Sequence, residues 1–202
     1  MVVAPPWVPP VHLGRDAPSE ASIARFAAAA AAVARPCSFA SPAFSTASAS
    51  SLPPRGWVIN RSRQHVGRGR EAYRRASRAL HELECLELPW LTAHVRDPVM
   101  VICSRQFGCL WLMNANRVLC RERCADCCSI TFRTTTRHVL AGEERLSVTC
   151  DDETKDVHFE ILSFSRPRHV LSWLTYPYVL HQQRRFARDA SAKMVARALS
   201  VA

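Results

Sequence analysis

The chain has 202 residues, a formal net charge of +10 from 27 basic and 17 acidic side chains, and 48% hydrophobic residues. This length suits one ordinary domain with a tail, and the composition excludes a chain that is disordered throughout. It also excludes an integral helical membrane protein, because no stretch approaches the roughly 18 consecutive apolar residues of a spanning helix. Six glycines and the lack of a recurring period exclude collagen and repeat arrays.

Residues 1–55 differ in composition from the rest of the chain. They hold most of the prolines, runs of Ala and Ser, spaced arginines and only two acids, Asp16 and Glu20. Organelle transit peptides are similarly poor in acids and rich in Arg and Ser. We therefore predict a disordered leader over 1–55 that does not pack into the fold. It is either a transit peptide or a low-complexity tail without a targeting function. Residues 56–202 are then a single domain.

The first predicted element of this domain is a helix over residues 70–87. Tyr73, Ala76, Leu80 and Leu83 form one apolar stripe at helical spacing, and Pro89 ends the pattern. The following region predicts only short, poorly defined strands, which lie at 98–103, 110–113 and 129–135.

The clearest pattern is a hairpin. Apolar residues alternate with polar ones over 145–150 and again over 157–163, and the polar turn 151–156 joins the two segments. Because side chains alternate between the faces of a strand, Glu144 should share the buried face of Leu146 and Val148, while Glu143 and Arg145 point away.

Two helices complete the chain, a short one ending near residue 174 and a long one over 176–199. We therefore predict an α+β fold, in which an antiparallel sheet carries the N-terminal amphipathic helix and the long C-terminal helix on one face. The predicted stripe of the long helix consists of Tyr176, Leu180, Ala187, Ala190, Met194 and Ala198.

Several blocks of this domain resemble a known family. They are Asn60–Arg63, Val66–Arg70, His138–Arg145, His158–Pro167, and Tyr176–Tyr178 with Arg184–Arg188. Through them the chain resembles uncharacterised protein family 0548, also called domain-of-unknown-function family nineteen-ninety, over about 57–90 and 129–197. Residues 91–128 depart from the family pattern, which puts that part of the sheet in doubt.

The resemblance implies an expected function but no catalytic residues. The fold is expected to be similar to the helix-grip sheets that hold apolar ligands, and a plant member is described as an ion channel of the chloroplast outer envelope. We expect a protein without enzymatic activity or cofactor, associated with the chloroplast envelope, that binds an apolar small molecule or an anionic lipid surface. An envelope ion channel, which would require an oligomer, is the alternative, and the cytoplasm or mitochondrion are the alternative locations.

Three residues are the candidate ligand contacts: Glu144, Arg145 and Tyr176. A carboxyl on the inner face of a sheet can have a raised pKa or meet a polar group of a ligand. The competing interpretation pairs Glu144 with an arginine at the mouth of the sheet.

A cluster of seven arginines is the candidate anionic-surface patch, since Glu71 is the only acid between residues 57 and 80. Such a patch suits phosphates or anionic lipid headgroups, and a solvated helix face is the simpler interpretation. No nucleic-acid motif accompanies it, so we expect no nucleic acid partner. The cluster consists of Arg61, Arg63, Arg68, Arg70, Arg74, Arg75 and Arg78.

The nine cysteines follow no secretory signal, so we expect reduced thiols inside the cell. Cys120, Cys124 and Cys127 have the spacing with which three thiolates can hold an iron–sulfur cluster or zinc. A metal site at these three residues is therefore a second alternative, although our main expectation is no metal.

Overall fold

The computed structural model describes residues 12–32 and 57–200. The strands are β1 (His12–Gly14), β2 (Val58–Arg68), β3 (Leu91–Arg96), β4 (Val99–Gln106), β5 (Leu110–Arg123), β6 (Cys127–Thr134), β7 (Leu140–Cys150) and β8 (Asp156–Pro167). The α-helices are α1 (Glu20–Ala31), α2 (Gly69–His81), α3 (Val170–Leu174) and α4 (Tyr176–Leu199), and a 3-10 helix covers Glu84–Leu86.

All eight strands form one antiparallel sheet. The order is β2-β8-β7-β6-β5-β4-β3, and β1 pairs with β5. Because β5 is long, its two halves have different neighbours on one side: residues 116–123 pair with β6, whereas residues 111–113 pair with β1. In the β7–β8 hairpin, Leu146 lies opposite Ile161 and Glu144 lies opposite Ser163.

The helices α2 and α4 pack on the same face of the sheet, which we call the inner face. Small and apolar side chains of both helices bury against strand residues such as Val148 and Phe159. This arrangement confirms the predicted α+β fold, including a long final helix with the predicted bounds. Within the described ranges, α4 included, no helix combines the length and the apolar character that crossing a bilayer requires.

The opposite, outer face carries a helix that the sequence analysis did not predict. The Ser19 side chain caps α1 by accepting a hydrogen bond from the backbone of Ser22. Ile23, Phe26, Ala27 and Ala30 then bury against β4 and β5.

The expectation of a disordered, unpacked leader is therefore wrong for residues 12–32. The alanines that suggested low complexity are strong helix formers, and their apolar stripe has a sheet to cover. The remainder of the expected leader, residues 1–11 and 33–55, lies outside the described residues.

Two further expectations are corrected in the middle of the chain. Helix α2 ends at His81 instead of near residue 87, because Leu83 adopts a left-handed conformation with φ of 59°. Residues 91–128, whose place in the sheet was in doubt, form the three complete strands β3, β4 and β5 and the start of β6. The pairing of β5 with β6 has one register shift, between Val118 and Cys120, and the unusual sequence does not interrupt the sheet.

Candidate functional site

A cavity of about 210 Å³ lies between the inner face of the sheet and the first half of α4. Its floor comes from β4 to β8, and its roof comes from successive turns of α4, namely Tyr178, Val179, Gln182, Gln183 and Phe186. Residues 138–140, in and after the β6–β7 turn, close one side. The volume exceeds the roughly 150 Å³ of an apolar protein cavity that holds benzene, so a small ring system fits.

Apolar side chains line much of the cavity, and polar ones form a band across its floor. Ile102, Leu112 and Phe132 are among the apolar residues. The second half of α4 lies on a packed core instead, where Ala190, Met194 and Ala198 are fully buried. The space under α4 is thus filled at one end and open at the other.

Glu144 projects from β7 into this cavity, on the face that the hairpin pattern predicted. Its neighbour in the sheet is Phe132, which belongs to the inner core. The side chain retains some exposure because it meets the cavity, yet protein surrounds it, and this burial raises the pKa of the Glu144 carboxyl to about 7. No hydrogen bond to the carboxyl forms within the described residues, so Glu144 is ready to bind a ligand atom.

His138 stands on the cavity wall in a neutral state. Burial, with a smaller effect of Arg168, lowers the pKa of the imidazole to about 3. Its Nδ1 accepts a 2.9 Å hydrogen bond from the backbone nitrogen of Leu140. Because a neutral imidazole carries one proton, the proton of His138 is on Nε2.

The amides of the cavity divide into partnered and unpartnered groups. Asn114 Oδ1 accepts a hydrogen bond of 3.1 Å from the backbone of Val139, and Gln183 Nε2 donates one of 3.0 Å to Ser165. In contrast, Asn116 Nδ2 and Gln182 Oε1 are buried and have no hydrogen-bond partner. A buried polar group without a partner costs about 1–3 kcal/mol, so both amides favour a ligand that supplies one.

Sequence reasoning missed the two asparagines and the glutamines of the cavity. Asn114 and Asn116 alternate with the buried Met113 and Ala115, so a period of two was present. The interruption of an apolar run by two asparagines suggested that the strand ended at Met113. Gln182 and Gln183 lay between the apolar residues of the predicted α4 stripe and gave no signal.

The other two predicted ligand contacts are not on the cavity wall. Arg145 follows Glu144 on β7 and points to the outer face, where its charge acts on the Cys127 thiol. Tyr176 begins α4, but the roof starts two residues later at Tyr178, whose ring stacks on Phe107 with centroids 4.1 Å apart. Of the three candidates, only Glu144 lines the cavity.

The arginine cluster does not form one free positive surface. Arg61 lies on the outer face of β2 and pairs with Glu160 at 2.9 Å, whereas the helical arginines lie on α2 at the inner face. Most of the helical arginines also have partners. Arg74 and Arg75 contact Glu71, and Arg78 pairs with Glu82 at 2.9 Å. Glu160, which is distant in sequence, and Glu82, which lies just beyond the counted range, thus add to Glu71 in neutralising part of the patch.

Arg63, Arg68 and Arg70 complete the cluster. Arg63 is exposed on β2, and Arg68 lies 4.0 Å from Asp156 and donates to a backbone carbonyl. Arg70 donates to the backbone carbonyl of Ala125. These contacts favour the interpretation of solvated, ion-paired surface arginines.

The structure gives no support to a metal site at Cys120, Cys124 and Cys127. Cys120 lies within β5, while Cys124 and Cys127 flank the β5–β6 turn. Burial raises the pKa of the Cys120 and Cys127 thiols, which disfavours the thiolate that metals require. Across residues 12–32 and 57–200, no three His, Cys, Asp or Glu side chains converge on a possible metal position.

Comparison with known proteins identifies relatives by sequence and by fold. A family model described as "Domain of unknown function (DUF1990)" matches residues 42–193. A UPF0548 protein of Arabidopsis thaliana is 34% identical over 147 residues, which cover 67% of this chain and 71% of the relative. A UPF0548 protein of Dictyostelium discoideum is 27% identical over 154 residues, 68% of this chain and 71% of the relative.

Among solved structures, the chain is similar to the di-domain ARO/CYC protein BexL from the BE-7585A biosynthetic pathway. The TM-score is 0.54 at 13% identity, and the match covers 74% of this chain and 52% of BexL. The chain therefore spans about half the length of BexL. At this identity the likeness concerns the fold alone, which is the helix-grip arrangement of a sheet around a long helix.

Proposed function

Because the chain belongs to the DUF1990 family, whose name states no activity, we propose its function from its own cavity: it binds a small, largely apolar molecule between α4 and the sheet. The observation that carries this proposal is the unfilled space of about 210 Å³ under the first half of α4. Protein interiors are close-packed, and a space of this size beside a well-packed core is unusual unless something occupies it.

The residues on the cavity floor support ligand binding. Larger side chains at these positions would fill the space, yet the floor carries Ser104, Ser163 and Ser165. These small residues leave the space open, and the amides described above supply hydrogen-bonding groups within it. The helix-grip fold places a cavity at this position between a helix and a sheet.

We test the proposal by filling the cavity. Ile102 points into it from β4, so Ile102→Trp places an indole in the space. We expect at least a tenfold loss of affinity for the neutral fluorescent probe N-phenyl-1-naphthylamine, because the probe and the indole compete for one volume. The measurement is a fluorescence titration, with circular dichroism to verify folding.

The matched control is Ile59→Trp, the same substitution at an exposed position of β2 outside the cavity. It should leave the affinity for the probe within about twofold of the parent, in keeping with the small effects of surface substitutions. If Ile102→Trp folds and binds the probe as well as the parent does, the cavity is not the binding site.

The chloroplast-envelope location and the ion-channel alternative remain predictions of the leader composition and of the family resemblance. Ligand binding in the cavity requires neither. It also requires no chemical step, so the proposal keeps the expectation of a protein without enzymatic activity.

A further inference from the structure

The hydrogen-bonding groups of the cavity indicate what kind of polar end its ligand has. The groups that already have partners, such as Asn114 and Gln183, hold the wall in place. The groups without partners are the amide nitrogen of Asn116, the amide oxygen of Gln182 and the carboxyl of Glu144. These three define the contacts that a ligand can still make.

The Asn116 amide is the strongest of these signals. Asn116 is only 2% exposed, lies on the inner face of β5 and directs an unpaired N–H donor at the cavity. An unpaired donor at this depth requires an acceptor, and no protein group among the described residues provides one. The acceptor that fits is an oxygen or nitrogen atom of the ligand.

Glu144 lies on the other side of β6 from Asn116. The register pairs Asn116 with Thr134 on β6, and Phe132 on β6 with Glu144 on β7. Glu144 is two strand spacings away from Asn116 and two residues further along the sheet, so the Cα atoms of the two residues are roughly 12 Å apart. Thr134 and Phe132 of β6 lie between them, and Gly142, which has no side chain, lies next to Glu144 on the inner face of β7. Both side chains line the cavity, so a flat molecule of two fused rings can reach both groups.

The charges around the cavity discriminate between classes of ligand. Among the cavity-lining residues in the described part of the chain, none is Lys or Arg. The two arginines next to the Glu144 row, Arg145 on β7 and Arg133 on β6, are on the outer face, and Arg133 pairs with Glu143 at 2.7 Å. A carboxylate or phosphate placed in the cavity would meet the Glu144 carboxyl without any counter-charge, and desolvating such an anion is costly.

We propose that the ligand is an uncharged molecule of about two fused rings that carries hydrogen-bonding oxygen, such as a phenol, alcohol or ketone, and that the cavity excludes anions. This inference rests on the proposed function and adds the ligand class to it. Asn116 donates to the ligand oxygen, and Glu144 shares a hydrogen bond with the ligand on the other side of β6. Gln182, which lies next to Gln106 on the β4 side of the cavity, can accept a hydrogen bond from a ligand hydroxyl. Fatty acids and phosphorylated lipids do not belong to this class.

The test compares three probes that share one ring system: naphthalene, 2-naphthol and 2-naphthoate. We expect 2-naphthol to bind about fivefold more tightly than naphthalene, which is the effect of one hydrogen bond, and at least tenfold more tightly than 2-naphthoate at pH 7. Intrinsic probe fluorescence, or calorimetry with the full chain, gives the three affinities.

Two variants assign the selectivity to residues. Glu144→Gln removes the ionisable carboxyl with little change of shape, and it should reduce the preference for 2-naphthol over 2-naphthoate severalfold. Glu160→Gln makes the same substitution on the outer face of β8 and should leave this preference unchanged. Asn116→Leu should abolish the preference for 2-naphthol over naphthalene.

The outcomes separate this inference from the proposed function. Binding of 2-naphthoate as tightly as 2-naphthol overturns the ligand class, while the cavity remains the binding site. Equal affinity for naphthalene and 2-naphthol overturns the role of Asn116. Failure of all three probes to bind, together with an unaffected Ile102→Trp variant, overturns the proposed function and this inference with it.

Discussion

At the scale of single residues, burial shifts the pKa values of Glu144 and His138 toward their neutral forms, and the two groups make stability depend on pH in opposite directions. Burial raises the pKa of Glu144 from 4.5 to about 7, so the folded protein binds more protons than the unfolded chain between these values and loses stability as the pH rises. Burial lowers the pKa of His138 from 6.5 to about 3, so stability is lost as the pH falls through that range. Between pH 4.5 and 6.5 the loss of stability with rising pH from Glu144 and the gain from His138 nearly cancel.

The substitution Glu144→Gln separates the two effects. It removes the destabilisation by Glu144, so the variant should gain stability relative to the parent as the pH rises from about 5 to about 8, by up to about 3 kcal/mol. Urea unfolding at several pH values measures this difference. Glu160→Gln should give a flat difference over the same range, and an equally flat difference for Glu144→Gln would show that the carboxyl is well solvated.

The pair between Arg133 and Glu143 is a second feature at this scale. The Glu143 side chain is 0% exposed, and the 2.7 Å contact with Arg133 compensates its charge. Arg133→Met should lower the free energy of unfolding by about 3 kcal/mol, because it removes this counter-charge from a buried carboxylate.

Chemical denaturation of two further variants completes this prediction. Adding Glu143→Gln to Arg133→Met should recover part of the loss, since the charge that needs a partner is then gone. Arg63→Met, at an exposed position of β2, should change stability by no more than about 0.5 kcal/mol. A loss for Arg133→Met as small as for Arg63→Met would contradict the stabilising role of the pair.

At the scale of elements, α1 is the part of the fold whose contribution is easiest to isolate. Phe26 is 7% exposed and packs on the outer face of the sheet, with Arg137 over its ring at 5.5 Å. Phe26→Ala should lower the free energy of unfolding by about 3 kcal/mol, since it leaves a cavity between α1 and the strands.

Arg25→Ala, an exposed position next to Phe26 on the same helix, controls for helix propensity and should be nearly neutral. Thermal unfolding compares the two variants. If they unfold at the same temperature, α1 contributes little to the stability of the folded domain, as expected of a leader that does not pack on it.

The elements that sequence reasoning predicted are those with a strong local period. The β7–β8 hairpin alternates residue by residue, and α4 has the expected bounds, so their existence followed from pattern alone. In α4 the predicted stripe was right for Ala190, Met194 and Ala198, which pack on the core. It was wrong for Tyr176 and Leu180, because the first turns of α4 present other residues, among them Gln182 and Gln183, to the cavity.

The parts that could not be predicted depend on contacts distant in sequence. Ala-rich α1 has a local signal for a helix but none for burial, which requires the outer face of β4 and β5. The unpaired amide nitrogen of Asn116 can be recognised only when the positions of the neighbouring strands are known. Of the candidate site, Glu144 followed from the alternation, whereas the amides did not.

At the scale of the whole molecule, the fit between α4 and the sheet explains why a core and a cavity coexist. Near the end of α4 the packing is close, since a Cβ added to Gly67 would lie 3.9 Å from the Ala198 Cβ and 2.9 Å from the Ala72 Cβ of α2. Near its start, the larger Tyr178, Gln182 and Phe186 line the cavity. The packed core and the cavity therefore lie under opposite ends of the same helix.

The order of the strands has a consequence for how the chain acquires its structure during synthesis. Strand β2 pairs with β8, and Asn60 meets Ser163 across about 100 residues of sequence, so β2 has no partner until nearly the whole domain exists. At ribosomal rates of about 5–20 residues per second, that wait is roughly 5–20 s. Helix α1 waits similarly for β4 and β5. During this interval apolar faces that the finished domain covers are exposed to solvent, so the nascent chain is more prone to aggregation than the finished protein.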